Sequence, residues 1–468
     1  MSRFTPATRM RCHACGTERP RQELPFRCPH AGAEDDLDHL LRRELDIGAL
    51  ALQLPEPFES GTDENPFVRW RHFLHGYQAM RARGAVDSAW HAAVSRLDDA
   101  IAALDGHGFV ATPLARQAEL ASALGVASVH VKDETRNVAG SHKSRHMMGI
   151  ALALETYDVP RERPLAVASC GNAALAAAVI ARAAGRPLTV YVPPDADAVV
   201  VDKLRAAEAI VAPCPREAGR RGDPCYLAFQ RALIEGALPL SVQGADNGLA
   251  VEGALPLGYE HIVELASAGE QVDAVMLQVG GGALASAVIA AWRDAYALGF
   301  VERLPRFFAV QTQGARPLAR AFTRLTKDAL RMLDVDRPQD LPVAERARQL
   351  LLPTAAAVRA ATMARAARTR SRYMWPWELE PHSIAHGILD DETYDWHAIC
   401  AGLLDTGGWV VTASEDDLAR ANELGRAAGY PVCHTGSSGL AGAIALARDG
   451  HLDADARVLV IFSGNHRE

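Results

Sequence analysis

The most constraining feature of this sequence is an alternation that begins near Phe109. Short apolar runs, "SVHVKD", "LAVAS", "LTVYVP", "AIVAP", "AVMLQV", "RFFAVQT", "GWVVTAS" and "VLVIFSG", are separated by helical-looking segments such as "AALAAAVIARAAG" and "ALASAVIAAWRDA". Strands and helices in turn predict an α/β fold with a mostly parallel sheet. The runs are apolar along their length, as expected of strands covered by helices on both faces. Before Phe109 the texture differs. A ligand-rich stretch runs from Cys12 to His30, "EDDLDHLLRREL" reads as a polar helix, and "LPEPFESGTDENP" reads as a linker. Between about 315 and 380 the chain turns helical and arginine-rich, with Arg359, Arg365, Arg368, Arg370 and Arg372 close together. A solvated helical insertion is the expectation there, with an anion-attracting lid as the sharper alternative.

Length and charge narrow the classes. A chain of 468 residues accommodates one large two-part domain plus extensions. A formal net charge of -8 argues against nucleic-acid binding through a general positive field. "MSRFTPATRMRC" lacks the apolar core of a secretory leader, and eight cysteines in so long a chain do not make a disulfide framework. A reducing, cytoplasmic setting is expected. The stretch from Ala274 to Trp292 carries no charge and is long enough to span a bilayer. Gln278 and three consecutive glycines interrupt it, so a buried strand, a glycine turn and a helix are predicted instead, with no membrane partner.

Three strand ends lead into loops with chemistry in them. "AGSHKS" puts Lys143 at a helix start, "ASCGNAA" carries Ser169, Gly171 and Asn172, and "QVGGGALAS" carries Gly280, Gly281 and Gly282. In an open α/β sheet, ligands gather beyond the carboxyl ends of the strands, so the three loops are expected to converge. Successive glycines before a helix form a phosphate cradle. Their spacing does not match the G-x-G-x-x-G dinucleotide fingerprint, which weakens a dehydrogenase reading. Asn172 offers an amide to a phenolate-like oxygen, while Ser169 and nearby amides can hold a carboxylate. A desolvated Lys143 becomes a nucleophile toward a carbonyl. Together these groups suit an aldehyde-bearing, phosphorylated cofactor.

In this order the motifs resemble the fold-type II pyridoxal-phosphate enzymes, and among them the threonine synthases. "VKDETRNVAGSHKSRH" is similar to the family's lysine motif and "SCGNAA" to its asparagine loop. "GYPVCHTGSSGLAGAIAL" resembles a late helix start, "VLVIFSGNHRE" the late strand, and "PHSIAHGILDDETYDWHAI" the segment before the last subdomain. The resemblance runs from about Cys12 onward, the insertion excepted. It implies two open parallel-sheet α/β subdomains with pyridoxal 5'-phosphate in the cleft, an amino-acid substrate and a homodimer. Residue by residue, it implies Lys143 as the Schiff-base lysine, Asn172 on the cofactor's 3' oxygen, Gly280 to Gly282 on the phosphate, and Ser463 on the pyridine nitrogen, with Ser437 as its rival. His142 and Ser144 stand where threonine synthases usually have Phe and Asp. The "HK" pair is instead like tryptophan synthase β chains, in which the histidine lies against the phosphate.

The expected chemistry is elimination or replacement at the β or γ carbon of an amino acid, in the manner of threonine synthase. The alternatives are a β-replacement synthase, a serine- or threonine-type ammonia-lyase, and a non-catalytic scaffold of the same fold. At the front, "CHACG…CPHAG" suggests a zinc-ribbon-like segment with Cys12, Cys15, Cys28 and His30 as ligands, or a metal-free remnant of one. The expected domains are 1-33 for that segment, 34-105 for a helical extension and linker, and 106-468 for the catalytic domain. Within the last, roughly 145-250 forms a smaller mobile subdomain and 315-380 the insertion.

Overall fold

The computed structural model describes residues 4–32, 34–58, 61, 63–216 and 222–466. Twelve strands lie among them: β1 (Thr8–Cys12), β2 (Leu41–Leu45), β3 (Leu114–Arg116), β4 (Ser128–Asp133), β5 (Leu165–Ala168), β6 (Leu188–Val192), β7 (Ile210–Pro213), β8 (Leu238–Pro239), β9 (Ala274–Gln278), β10 (Arg306–Thr312), β11 (Val410–Ala413) and β12 (Arg457–Phe462). They form two open sheets and a hairpin. The larger sheet has the order β11-β10-β9-β12-β4-β3, parallel except for the edge strand β3. The smaller sheet, β7-β6-β5-β8, is parallel throughout. The predicted α/β architecture is therefore present, divided over two sheets. Strands β4 and β9 are buried at every residue, and β10 and β12 at every residue but the first, as the continuous apolar runs require.

Helix Lys143–Thr156 runs between the halves and is buried along nearly its whole length. It crosses the turn Glu252–Ala254 backbone to backbone. A Cβ on Gly149 would come 2.6 Å from the Gly253 Cα, so only glycines allow the approach. Its first turn is fixed by a buried ionic cluster. Arg145, 0 % exposed, donates from Nε to Glu134 at 2.9 Å and from Nη1 to Glu260 at 2.7 Å, and Lys132 Nζ reaches Glu260 at 3.0 Å. Each of these charges meets an opposite one, the condition under which charged groups can be buried. The cluster ties the helix start to β4 and to helix Leu255–Ser267.

The charge-free stretch resolves as expected, into β9, the glycine turn and helix Ala283–Ala297. Among the described residues no helix is long and apolar enough to cross a membrane. The arginine-rich insertion forms helices Pro317–Arg331, Val343–Leu351 and Ala356–Arg368. The polar helix expected at "EDDLDHLLRREL" is not formed. Its last five residues are β2, which pairs antiparallel with β1 from Thr8↔Leu45 to Cys12↔Leu41. The charges that suggest a helix face there project from a strand instead, where Arg9 pairs with Glu44 across the hairpin at 2.6 Å.

Candidate active site

Lys143 opens its helix, following a turn built from Ala139 and Gly140, both at positive φ (53° and 66°). The end of β12 holds this turn. His142 N–H donates to the Ser463 carbonyl at 3.0 Å, Asn465 N–H donates to the Gly140 carbonyl at 2.9 Å, and Ser141 bridges Gly464. Asn172 begins helix Asn172–Ala183. Its Nδ2 would lie 2.6 Å from a Cβ on Gly464, so the asparagine lies against the β12 end that also carries the lysine turn. Its Oδ1 is buried without a partner. Ser169 Oγ accepts the Gly171 N–H at 3.3 Å at the start of the same loop. Ser463 is buried, and its Oγ accepts from Gln278 Nε2 at 2.7 Å, which leaves the hydroxyl proton available to another acceptor. Gln278 is the last residue of β9, just before Gly280, Gly281 and Gly282. The structure thus brings together Lys143, Asn172, Ser463 and the glycine loop. Ser437 differs, since its hydroxyl is engaged inside its own helix with the carbonyls of Cys433 and His434 at 3.2 and 3.3 Å.

His142 and His146 bond to each other, Nδ1 to Nε2, at 3.2 Å. His146 Nδ1 faces the Ala250 carbonyl and must carry a proton, so its Nε2 accepts and His142 Nδ1 donates. His142 Nε2 is then left as a lone pair. Both rings are held neutral, their pKa values lowered by burial first and by the Lys143 charge second.

The sequence reasoning missed the acidic side of the site. Residues 388–395 lie over the glycine loop. Thr393 Oγ1 donates to the Gly280 carbonyl at 2.9 Å, and Asp395 N–H donates to the Gly281 carbonyl at 3.1 Å. The Asp390 carboxylate accepts the Gly281 N–H, and a Cβ on Gly281 would lie 2.9 Å from the Tyr394 ring. Burial lowers the Lys143 amine below the usual lysine range, while Asp390 and Asp395 pull the other way. Burial pushes Asp390 up to about 6 and Asp395 up to about 7. Asp395 is 1 % exposed and its Oδ2 has no partner. The run Asp-Asp-Glu-Thr-Tyr-Asp at 390–395 reads locally as a solvated acidic turn and gave no signal of its place in the site.

These groups fit pyridoxal phosphate. Helix Ala283–Ala297 begins at Gly282, in a left-handed conformation (φ 104°), with no side chain capping it, so its first amides are oriented toward an anion. Asn172 supplies a side-chain amide beside the β12 end, Ser463 a free hydroxyl proton and Lys143 a desolvated amine.

A second cluster lies at the hairpin. Ligand atoms of Cys12, Cys15, Cys28 and His39 all lie within 4.8 Å of one another. Cys15 and Cys28 Sγ are 3.6 Å apart, and His39 Nδ1 is 3.7 Å from Cys12 Sγ and 3.5 Å from Cys28 Sγ. A tetrahedral zinc with bonds of about 2.3 Å to sulfur and about 2.0 Å to nitrogen has S···S and S···N edges of roughly 3.8 and 3.5 Å. The donor set therefore fits such an ion. The fourth member is His39 and not the expected His30. His30 is exposed and its Nδ1 lies 3.4 Å from Thr17 Oγ1, whereas His39 is carried inward by the approach to β2. Asp35 holds His39 Nε2 at 3.2 Å, which orients Nδ1 toward the thiols.

Comparison with known proteins agrees with this geometry. The profile of the family described as pyridoxal-phosphate dependent enzyme matches residues 107–369. The threonine synthase of Methanocaldococcus jannaschii is 24% identical over 361 residues, 76% of this chain and 74% of that protein. That of Methanosarcina acetivorans is 29% identical over 211 residues, 45% of this chain and about half (49%) of that protein. A serine dehydratase-like protein of Mus musculus is 30% identical over 212 residues, 44% of this chain and 61% of that protein. Among solved structures, the processed form of threonine deaminase isoform 2 from Solanum lycopersicum superposes with a TM-score of 0.54 at 15% identity, covering 82% of this chain and 86% of that one. Diaminopropionate ammonia lyase from Escherichia coli gives 0.55 at 17%, covering 81% and 88%. The chain belongs to the pyridoxal-phosphate dependent enzyme family, and its two-sheet α/β fold is that of the fold-type II members.

Proposed function

We propose that this enzyme removes or replaces the β-substituent of an unphosphorylated amino acid, in the manner of a serine- or threonine-type ammonia-lyase or a β-replacement synthase. The observation that carries this reading is the pair of carboxyl groups facing Lys143, half-buried Asp390 and buried Asp395. A phosphorylated side chain would bring a second dianion into a site already holding the cofactor's phosphate and Asp390, which with a pKa of about 6 is mostly ionised at neutral pH. A hydroxyl, an amine or an acetyl ester brings no such repulsion. The names of several similar proteins, a serine dehydratase-like protein, a threonine deaminase and an ammonia lyase, point the same way. The threonine synthases among the relatives favour a threonine synthase acting at the γ carbon, which is the second reading.

When bound, pyridoxal phosphate supplies an electrophilic carbonyl and a ring that takes up the electrons of the broken α C–H bond. The amides opening helix Ala283–Ala297 hold the phosphate. Ser463, fed by Gln278 Nε2, donates its proton to the ring nitrogen. A hydroxyl there leaves that nitrogen largely unprotonated, which favours elimination over transamination. Asn172 would hold the ring oxygen, and Ser169 at the start of the same loop would hold the substrate carboxylate. The Lys143 amine, its pKa lowered by burial, is free to take the α-proton at Nζ. Elimination from a hydroxy amino acid releases water, and hydrolysis of the product then gives a 2-keto acid and ammonia.

The test is turnover of serine, threonine, O-acetylserine, phosphoserine and phosphohomoserine, read as keto acid, acetate or phosphate released. Release of keto acid from the unphosphorylated substrates supports the reading. Turnover confined to phosphohomoserine, with threonine and phosphate as products, overturns it in favour of the second.

A further inference from the structure

The acidic segment that faces Lys143 is held from two sides. The glycine loop takes one side, through Thr393 and Asp395. The other side is taken by residues immediately next to the cysteine and histidine cluster. His13 lies between Cys12 and Cys15. Its Nε2 meets Asp38 Oδ2 at 3.0 Å and its ring lies 4.4 Å from that of His397. Asp38 precedes His39, and its other oxygen meets Arg370 Nε at 3.2 Å. Arg370 in turn pairs with Glu392. From β2, Arg42 Nη1 lies 3.2 Å from His397 Nδ1, and it is the main positive charge acting on Asp395.

We propose that the metal site of Cys12, Cys15, Cys28 and His39 positions the acidic segment 390–397 through His13, Asp38, Arg42 and Arg370, so that the bound ion sets the geometry facing Lys143. The hairpin that carries these residues is held to the body through Arg43 with Asp294 and Thr8 with His75, but its loop has no such anchor of regular structure. It is two five-residue strands, too small to be stable alone. The described residues between them, 13–32 and 34–40, contain no helix or strand of their own. An ion that ties both ends of this loop together orders His13 and Asp38 as it binds. The insertion is part of the same assembly. Asp38 N–H donates to the Ala367 carbonyl at 2.8 Å, and Ser371 donates to Asp36 through N–H and Oγ at 2.7 and 2.9 Å. Arg370 therefore serves as a positioning residue and not merely as part of a solvated arginine face.

The experiment reads hydrogen exchange in peptides covering 386–399 together with elemental analysis of the purified holoenzyme. Neither readout depends on the substrate, so failure here is separable from failure of the proposed reaction. The expectation is one zinc-class ion per chain and exchange at least about tenfold faster in this segment after the ion is stripped. His39→Cys, which keeps four ligands, should retain both the ion and the protection. Arg370→Gln should keep the ion and lose the protection, with KM raised more than kcat is lowered. Should the stripped chain unfold throughout, Arg370→Gln decides alone. A chain without stoichiometric metal, a segment equally protected with and without it, or full protection in Arg370→Gln overturns the proposal.

Discussion

Lys143, half-buried, and Asp395, buried, are two ionisable groups with opposite demands. Burial favours the neutral amine, which a nucleophile needs, and also favours the neutral carboxyl of Asp395. Lys143→Ala is expected to abolish the cofactor's visible absorption band and to lower turnover at least about a thousandfold. Absorption during pyridoxal phosphate titration and single-turnover assays check it. For Asp395 the folded value of about 7 stands above the ordinary 3.8. The unfolded chain therefore releases this proton first. Stability from the neutral carboxyl is fully present below about pH 4 and is lost as pH rises to about 7. By pH 8 the loss amounts to as much as about 4 kcal/mol, because each tenfold change in proton affinity is worth about 1.36 kcal/mol. Asp395→Asn should flatten this slope and make the cofactor-free chain more stable at pH 8, as measured by urea unfolding between acid and mildly alkaline pH. The lysine, asparagine and glycine loops were legible in the sequence because each sits where a strand run meets a helix run. Asp390 and Asp395 were not, because nothing local distinguishes a carboxyl folded onto a glycine loop from one in a solvated turn. His39 was missed for a related reason: spacing after Cys28 favours His30, and only the turn into β2 brings the later histidine inward.

At the level of elements, all eight apolar runs proved to be strands; burial on both faces explains the unbroken apolar pattern of β4, β9, β10 and β12, whereas the edge strand β7 is exposed or half-buried throughout. The hairpin was illegible because "TRMRC" and "LRREL" are charged and short, and their strand form comes from pairing with each other. Helix Lys143–Thr156 was expected, but the cluster that anchors it was not, because Glu134, Arg145 and Glu260 come from three separate segments. Arg145→Met should leave Glu134 and Glu260 buried against too little positive charge and cost about 3–5 kcal/mol. The check is the denaturation midpoint at unchanged slope, with Lys143 reactivity toward pyridoxal phosphate as the functional readout.

For the whole molecule, the residues proposed to hold the cofactor come from both sheets: Asn172 follows β5 of the smaller one, while Ser463 and the glycine loop follow β12 and β9 of the larger. Binding should therefore stabilise the two halves as one unit. At a pyridoxal phosphate concentration a hundredfold above Kd, the gain is expected to be about 2.7 kcal/mol. It should be seen as a single, higher thermal transition, and the increment should shrink in Lys143→Ala. The order of the larger sheet also has a consequence for biosynthesis. β12 is the last strand among the described residues, yet it lies in the interior between β9 and β4, and its end holds the lysine turn. A nascent chain lacking residues 457–465 has an open slot between two apolar strands and no assembled lysine turn. Until β12 is in place the edges of β9 and β4 stay open, and the site closes only when that strand enters the gap between them.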